Sequence, residues 1–412
     1  YERVFLEYSY ECMCCYYYKC LQFRQFRINN WIKYDEDRFP DFYCFALYNN
    51  IKIYLYILTH KIMELNISKY KDKGFVGLEN LGNTCFLNSC IQVINNTHEL
   101  SCFFDSMRYT EFLKKDMHES ELIQEWQDLR EVMWSGNGVV APRKFVNHVQ
   151  KIAKLKDKDM FTGWSQNDMP EFLQFFLECI HNSICRSVSI NINGNPENKV
   201  DNLAIKCYEM LKQNYKSEYS EIYDFFYGIS FSEIVSLKTN EVLSIVPENY
   251  LMIDLPVLDG NRLANNIYDC FDIFTKPEYL EGDNAYFNEK INEKEDVKKQ
   301  YSFFTFPNIL VVALKRFSPD GTKKMMQVID FPLENLDLSK YVKGYNPNSY
   351  KYDLYGVCNH VGGVSGGHYT CFIKNITNNW IHYNDEVVEK VNDGKSIISP
   401  MAYCLFYRKK NN

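Results

Sequence analysis

One cysteine sits where a glycine-containing loop gives way to a helical pattern: GLENLGNTCFLNS, 77–89, with Gly82 and Asn83 just ahead of Cys85. Behind it, Leu87, Cys90, Ile91 and Ile94 recur at the spacing of a buried helix face. A thiol at the start of a helix meets the positive end of the helix dipole. The free N–H groups there favour a thiolate and can also hold a developing oxyanion. The remaining cysteines have no such flanks and read as buried, inert thiols.

A thiolate nucleophile needs a base, and the base needs a third group to orient it. Of the eight histidines, His368 stands out in GGVSGGHYT, 362–370. The glycines before it leave room for another backbone to approach closely, and YTCFI after it is strand-like. The other seven histidines read as surface or satisfied core residues. Further on, WIHYNDEVV, 380–388, ends a strand at Asn384 and Asp385. A hairpin turning through 374–379 would bring either side chain to the imidazole of His368.

These residues need elements to carry them. Residues 171–180 repeat the buried helical spacing with Phe172, Phe175, Phe176 and Cys179. Residues 191–203 read as a polar loop. Short β-branched or aromatic runs follow at 231–237, 250–255, 309–314, 352–358, 369–373, 380–383 and 403–407. The charged, Asn-rich stretch 278–299 reads as a solvated excursion. Helices first and strands later imply an α+β fold rather than a doubly wound sheet. Residues 1–62 are Tyr- and Cys-rich without a clear period, and are expected to be an N-terminal extension with little fold of its own. Met63 opens a stretch that reads like a natural start, so 63–76 form a lead-in.

Composition narrows the function classes. The 412 residues are 46% hydrophobic and 24% charged, an ordinary globular balance. The net charge of −7 speaks against a phosphate-backbone binder, so no nucleic-acid partner is expected. The most apolar early window, 45–62, is broken by Asn49, Asn50 and Lys52, and no membrane span is expected. The fifteen cysteines lack the spacing of a disulfide framework, and YERVFLEYSY lacks the pattern of a secretory leader. Reduced thiols in the cytoplasm or nucleus are the expectation. Cys12, Cys14, Cys15 and Cys20 have no histidine partner at zinc spacing, and no metal is expected there.

At this point the motifs resemble those of the ubiquitin-specific proteases, a papain-like family of cysteine deubiquitinases. GLENLGNTCFLNSCIQ resembles the family's cysteine box, and GGHYTCFI followed by W-x-x-Y-N-D-x-x-V its histidine box. SQNDMPEF, 165–172, resembles the acidic motif between them, and ILVVALKRF, 309–317, the strand ending Leu-Lys-Arg-Phe. The four occur in the family's order, and the likeness covers about 77–408, a whole catalytic domain. The resemblance implies a helical thumb at about 77–205, and β fingers with a β palm over about 206–408. It implies Cys85 as nucleophile, His368 as general base, Asn384 as third triad member with Asp385 assisting, and Asn80 as an oxyanion donor. It also implies that Asp168, Tyr369, Gly366 and Gly367 line the path of the ubiquitin tail, Asp168 facing the tail's arginine. The implied reaction is hydrolysis after the C-terminal glycine of ubiquitin through an acyl-enzyme thioester, by a monomer acting on ubiquitin and ubiquitinated proteins. The alternatives are a protease for another modifier ending Gly-Gly, and an inactive ubiquitin-binding scaffold.

The sequence departs from the family in two places. Many members carry two C-x-x-C pairs at the fingertips, but 232–240 (SEIVSLKTN) and 280–288 (LEGDNAYFN) hold no cysteine. No zinc or other cofactor is therefore expected, and the fingers would hold by packing or be shortened. Met169 and Pro170 replace the family's Ala-Gln. Proline is tolerated in the first turn of a helix, so Pro170 is expected to open the following helix.

Overall fold

The structure, a computed structural model, describes residues 67–410 except 319, 364, 365 and 393, together with three strands at 4–9, 42–48 and 51–57. The rest of 1–62, including Cys12, Cys14, Cys15 and Cys20, lies outside the described residues. The strand Val4–Ser9 runs antiparallel to Ser189–Ile192 and, with Phe42–Tyr48 and Ile51–Ile57, makes a four-stranded sheet. The composition of 1–62 did not indicate these strands.

The fold is α+β. Helices Cys85–Asn95, His98–Asp105, His118–Ser135, Arg143–Leu155 and Met169–Ile184 form one lobe, and Lys199–Tyr215 and Glu221–Phe226 carry the helical run past residue 205. The Cys85–Asn95 helix is buried along its whole length, as a helix apolar nearly all round must be. It packs on Phe172 and Phe176 of Met169–Ile184 on one side and reaches Tyr355, Cys371 and Phe406 of the sheet on the other, within one continuous core.

The palm is an eight-stranded sheet. Its main order is Val387–Val391, Trp380–Asn384, Gly366–Lys374, Lys351–Gly363, Ala402–Lys409, Ile309–Lys315 and Met252–Pro256, with Leu336–Asp337 paired to Lys351–Gly363. Only the last two strands of that order run parallel. The unbroken apolar run ILVVALK follows from burial on both faces. Ile309 and Val311 face the helical lobe, while Leu310, Val312 and Leu314 face a second core with Ile267, Phe271 and Tyr407.

The fingers are a four-stranded antiparallel sheet of Glu278–Leu280, Val297–Thr305, Gly228–Ser236 and Val242–Tyr250. The stretch read as a solvated excursion is mostly exposed, and it carries strands. Much of 278–299 is strand: Tyr286–Asn288 and Glu293–Glu295 form their own hairpin beside that sheet. The charged residues Glu278, Glu281, Asp283, Glu289, Lys290, Glu293 and Lys294 are exposed, so the stretch is solvated as its composition indicated. One sequence expectation is corrected: residues 191–203 are not all loop, because Asn198 caps the Lys199–Tyr215 helix by accepting from the Asp201 N–H at 3.0 Å.

A carboxylate joins the fingertip hairpins. Ser236 Oγ donates to Glu295 Oε2 at 2.9 Å, and Asn288 Nδ2 donates to the other oxygen of Glu295. Ser236 and Asn288 are buried, so losing the carboxylate strands two polar groups. Glu295→Ala is expected to cost about 1–3 kcal/mol of stability. Urea unfolding checks this, and the midpoint should be indifferent to a metal chelator.

No helix among the described residues is long and apolar enough to cross a membrane.

Candidate active site

The histidine and asparagine meet on the palm, and the cysteine reaches the residue next to that histidine from the helical lobe. Cys85 is the first residue of its helix and only 3% exposed. Burial pushes its thiol pKa up. The backbone N–H of Tyr369, and those of Phe86 and Cys85 itself, pull it down, while the charge of Asp385 raises it. The contact with Tyr369 ties the sulfur to the residue next to His368.

His368 lies near the start of the strand Gly366–Lys374, as the strand-like YTCFI after it implied. That strand pairs antiparallel with Trp380–Asn384, with Cys371 opposite Tyr383, so the expected hairpin forms. His368 Nε2 stands 2.7 Å from Asn384 Oδ1, an acceptor, so Nε2 carries the proton and Nδ1 is left as the basic nitrogen. Asp385 Oδ2 lies 3.9 Å from the same Nε2.

Asp385 has a second set of partners. Its Oδ2 accepts from Asn80 Nδ2 at 2.9 Å and its Oδ1 from Asn88 Nδ2 at 2.8 Å. The Asp385 carbonyl accepts from the Leu78 N–H at 2.9 Å. Its φ of +48° is a conformation that Asp and Asn tolerate better than most residues. The turn lies so close to the strand Val76–Leu78 that a Cβ on Gly77 would stand 2.3 Å from the Glu386 carbonyl oxygen. Gly77 therefore lets the loop ahead of Cys85 dock on the turn after Asn384.

Asn80 is held at both ends of its amide. Its Oδ1 accepts from the N–H groups of Gly82 and Thr84, both at 3.1 Å, and its Nδ2 gives one proton to Asp385. One Nδ2 proton remains.

The cleft beside Cys85 is lined by Gln166, Asp168, His360, Gly366, Gly367 and Tyr369, among others, and has a volume of about 170 Å³. That is below the roughly 300–1,000 Å³ typical of small-molecule sites, and suits a thin extended chain. Glycine is needed here because Cβ atoms would stand 2.1 Å from Gln166 Oε1 at Gly366 and 2.3 Å from His360 Nε2 at Gly367. Gln166 crosses from the helical lobe to the palm: its Oε1 accepts from the Gly367 N–H at 2.6 Å and its Nε2 donates to the Gly367 carbonyl at 2.8 Å. Asp168 precedes the Met169–Ile184 helix, which Pro170 opens as expected. Tyr403 donates to Asp168 Oδ2 at 2.7 Å, while Oδ1 is buried without a hydrogen-bond partner. Burial raises its pKa to about 6 despite Tyr403, with Glu171 and Asp254 adding to the rise.

Of the nine residues singled out in the sequence, Cys85, Asp168, Gly366, Gly367 and Tyr369 line this cleft, while His368, Asn384, Asp385 and Asn80 form a linked polar set of their own. Sequence reasoning missed His360, which was grouped with the ordinary histidines. Its position eight residues before His368, on the facing strand, is a register relation that a motif reading does not supply. Gln166 and Asn88 were inside quoted motifs but carried no assigned role.

A thiol at a helix start, an imidazole held by a carboxamide and a cleft between a helical lobe and a sheet define the class: a cysteine-hydrolase type of site on an α+β scaffold. Residues 76–407 match the family model described as ubiquitin carboxyl-terminal hydrolase, and the chain belongs to that family. It is 34% identical over 347 residues to human ubiquitin carboxyl-terminal hydrolase 2, covering 81% of this chain and 55% of that protein. To human ubiquitin carboxyl-terminal hydrolase 21 it is 31% identical over 361 residues, covering 81% and 61%. The chain therefore spans little more than half the length of these relatives. The fold is similar to a chain of the SAGA Ubp8/Sgf11/Sus1/Sgf73 DUB module bound to ubiquitin aldehyde, with a TM-score of 0.63 at 22% identity, covering 86% of this chain and 77% of that one.

Proposed function

We propose that this chain is a thiol protease that hydrolyses the peptide or isopeptide bond after the C-terminal glycine of ubiquitin. The observation that carries this reading is the combination of the His368–Asn384 bond with a slot beside Cys85 that only glycine backbone can line. Burial raises the thiol pKa above its ordinary value, which favours the protonated thiol before substrate arrives. As the tail seats, His368 Nδ1 takes that proton and the sulfur attacks the glycine carbonyl carbon. The oxyanion receives the Cys85 N–H and the remaining Nδ2 proton of Asn80. His368 then protonates the departing amine, leaving a thioester that water cleaves after losing a proton to His368.

Asp168 lines the cleft and pairs there with the arginine of the tail. An anion is needed for that pairing, so binding weakens as pH falls through about 6, where Asp168 takes up a proton. KM for a ubiquitin substrate is expected to rise up to about tenfold per pH unit below 6, and Asp168→Asn should abolish this limb. The sign for folding is opposite. A folded pKa above the unfolded value makes the ionised carboxyl a cost at neutral pH, fully relieved only below the unfolded value near 3.8. Asp168→Asn should therefore melt higher at pH 7 while binding ubiquitin less well.

The ten cysteines from Cys85 to Cys404 are free thiols, which supports placement in a reducing intracellular compartment. The direct test is labelling by ubiquitin with an electrophile at its C-terminal glycine, in parallel with other Gly-Gly modifiers. An adduct with ubiquitin that Cys85→Ala abolishes is the expected result. Labelling by another modifier alone would replace ubiquitin as the substrate, and no labelling of a folded chain would overturn the assignment.

A further inference from the structure

The cleft holds a second histidine. His360 lies on the strand Lys351–Gly363, opposite Tyr369, and is 5% exposed. Its ring packs against those of Tyr369, Tyr403 and Phe317, with centroids 4.7, 5.7 and 5.9 Å away. Its two nitrogens have different surroundings. Nδ1 stands 2.9 Å from Lys324 Nζ, and the same ammonium donates to the His360 carbonyl oxygen. Nε2 takes no hydrogen bond from the described residues and lies at the cleft wall, where a Cβ on Gly367 would reach to 2.3 Å.

The ammonium dictates which nitrogen holds the proton. Burial and the Arg316 charge lower the Lys324 pKa to about 8, so below that pH it is an ammonium with three donors and no acceptor; Nδ1 must then accept, and a neutral imidazole carries its hydrogen on Nε2. Burial and the neighbouring Lys324 charge hold the His360 pKa down to about 4, so the ring is neutral in ordinary buffers.

Lys324 is well anchored. It closes a hairpin with Phe317, in which the Ser318 N–H donates to the Lys323 carbonyl at 2.9 Å. On its other side the Met325 N–H donates to the Arg316 carbonyl at 2.6 Å. The fully buried Arg316 guanidinium binds the carbonyls of Met325, Gln327 and Ala402 at 3.1, 2.9 and 2.6 Å. Arg316 thus pins the segment that delivers Lys324.

We propose that Lys324 is a positioning residue that holds His360 in its Nε2–H form, and that His360 donates this proton to a backbone carbonyl of the glycine tail in the cleft. The assignment of the tail rests on the function proposed above. A chain without side chains offers only N–H and C=O groups, and a fixed donor selects the latter. Of the two histidines here, His368 shuttles protons and His360 holds one still.

Histidine nitrogen correlation spectra of the full chain test this, with the His360 signal assigned by its loss in His360→Gln. The expected wild-type pattern is a neutral ring protonated at Nε2, with the Nε2 resonance moving when ubiquitin binds. Lys324→Met should give a mixture of tautomers and raise KM about fivefold to tenfold, the worth of roughly one hydrogen bond, with kcat within twofold. Lys324→Arg, which keeps a cationic donor, should recover part of the loss. A wild-type ring protonated at Nδ1, or a folded Lys324→Met with unchanged tautomer and KM, would overturn the proposal. The wild-type spectrum decides the tautomer even if Lys324→Met does not fold. A chain with the Nε2–H form that cleaves no ubiquitin would support the lock and count against the function instead.

Discussion

Cys85→Ala is expected to lower kcat for release of a fluorogenic group from the ubiquitin C-terminus by on the order of 10⁶-fold, with ubiquitin still bound. The size follows from what a triad nucleophile supplies: without it no acyl intermediate forms, and only residual binding and oxyanion stabilisation remain. The fold should survive, because Cys85 is a small buried side chain at a helix start and alanine is a good helix former. Steady-state kinetics and calorimetric titration with ubiquitin separate the two effects. Residual activity above about 1% of wild type would mean that another group carries the attack.

The second large effect is expected from Asn384 and Asp385 together. Asn384 holds Nε2 of His368 at 2.7 Å, while Asp385 waits at 3.9 Å from the same atom. When Asn384→Ala removes the first acceptor, the ring can turn toward the second, so kcat should fall only about 10–100-fold. Asp385→Asn removes the charge but suits the positive φ at this position. It also leaves Asn80 and Asn88 competing for fewer acceptor sites. The double variant should lose about 10⁴-fold, the scale seen when a catalytic histidine loses the group that sets its tautomer. That loss exceeds the product of the single losses, because each residue partly covers for the other. A double-mutant cycle on kcat is the measurement, and strictly multiplicative losses would show that the two residues act independently.

Much of this site was legible in the chain. Cys85 ahead of a buried helical pattern, His368 after a run of glycines, and Asn384 with Asp385 at a strand end were each visible as local signals. Local signals sufficed because a helix start, a strand period and a glycine's lack of a Cβ act over a few residues. Pro170 at the opening of its helix is another such case. The stretch 191–203 misled the reading, since the capped first turn of the Lys199–Tyr215 helix has the polar composition of a loop.

What the sequence by itself determined is the set of candidates for the chemistry, one thiol, one imidazole and one carboxamide, and the α+β order of the elements that carry them. What only the tertiary structure decided is the set of contacts between segments far apart in the chain. Asp385 reaches Asn80 and Asn88 across about three hundred residues, and Gln166 reaches Gly367 across two hundred. Lys324 meets His360, and Glu295 joins Ser236 to Asn288, with no motif spanning either pair. Such pairs depend on strand register and on how the helical lobe docks on the sheet. Both are set by the sum of many apolar contacts across the shared core rather than by any short run of residues.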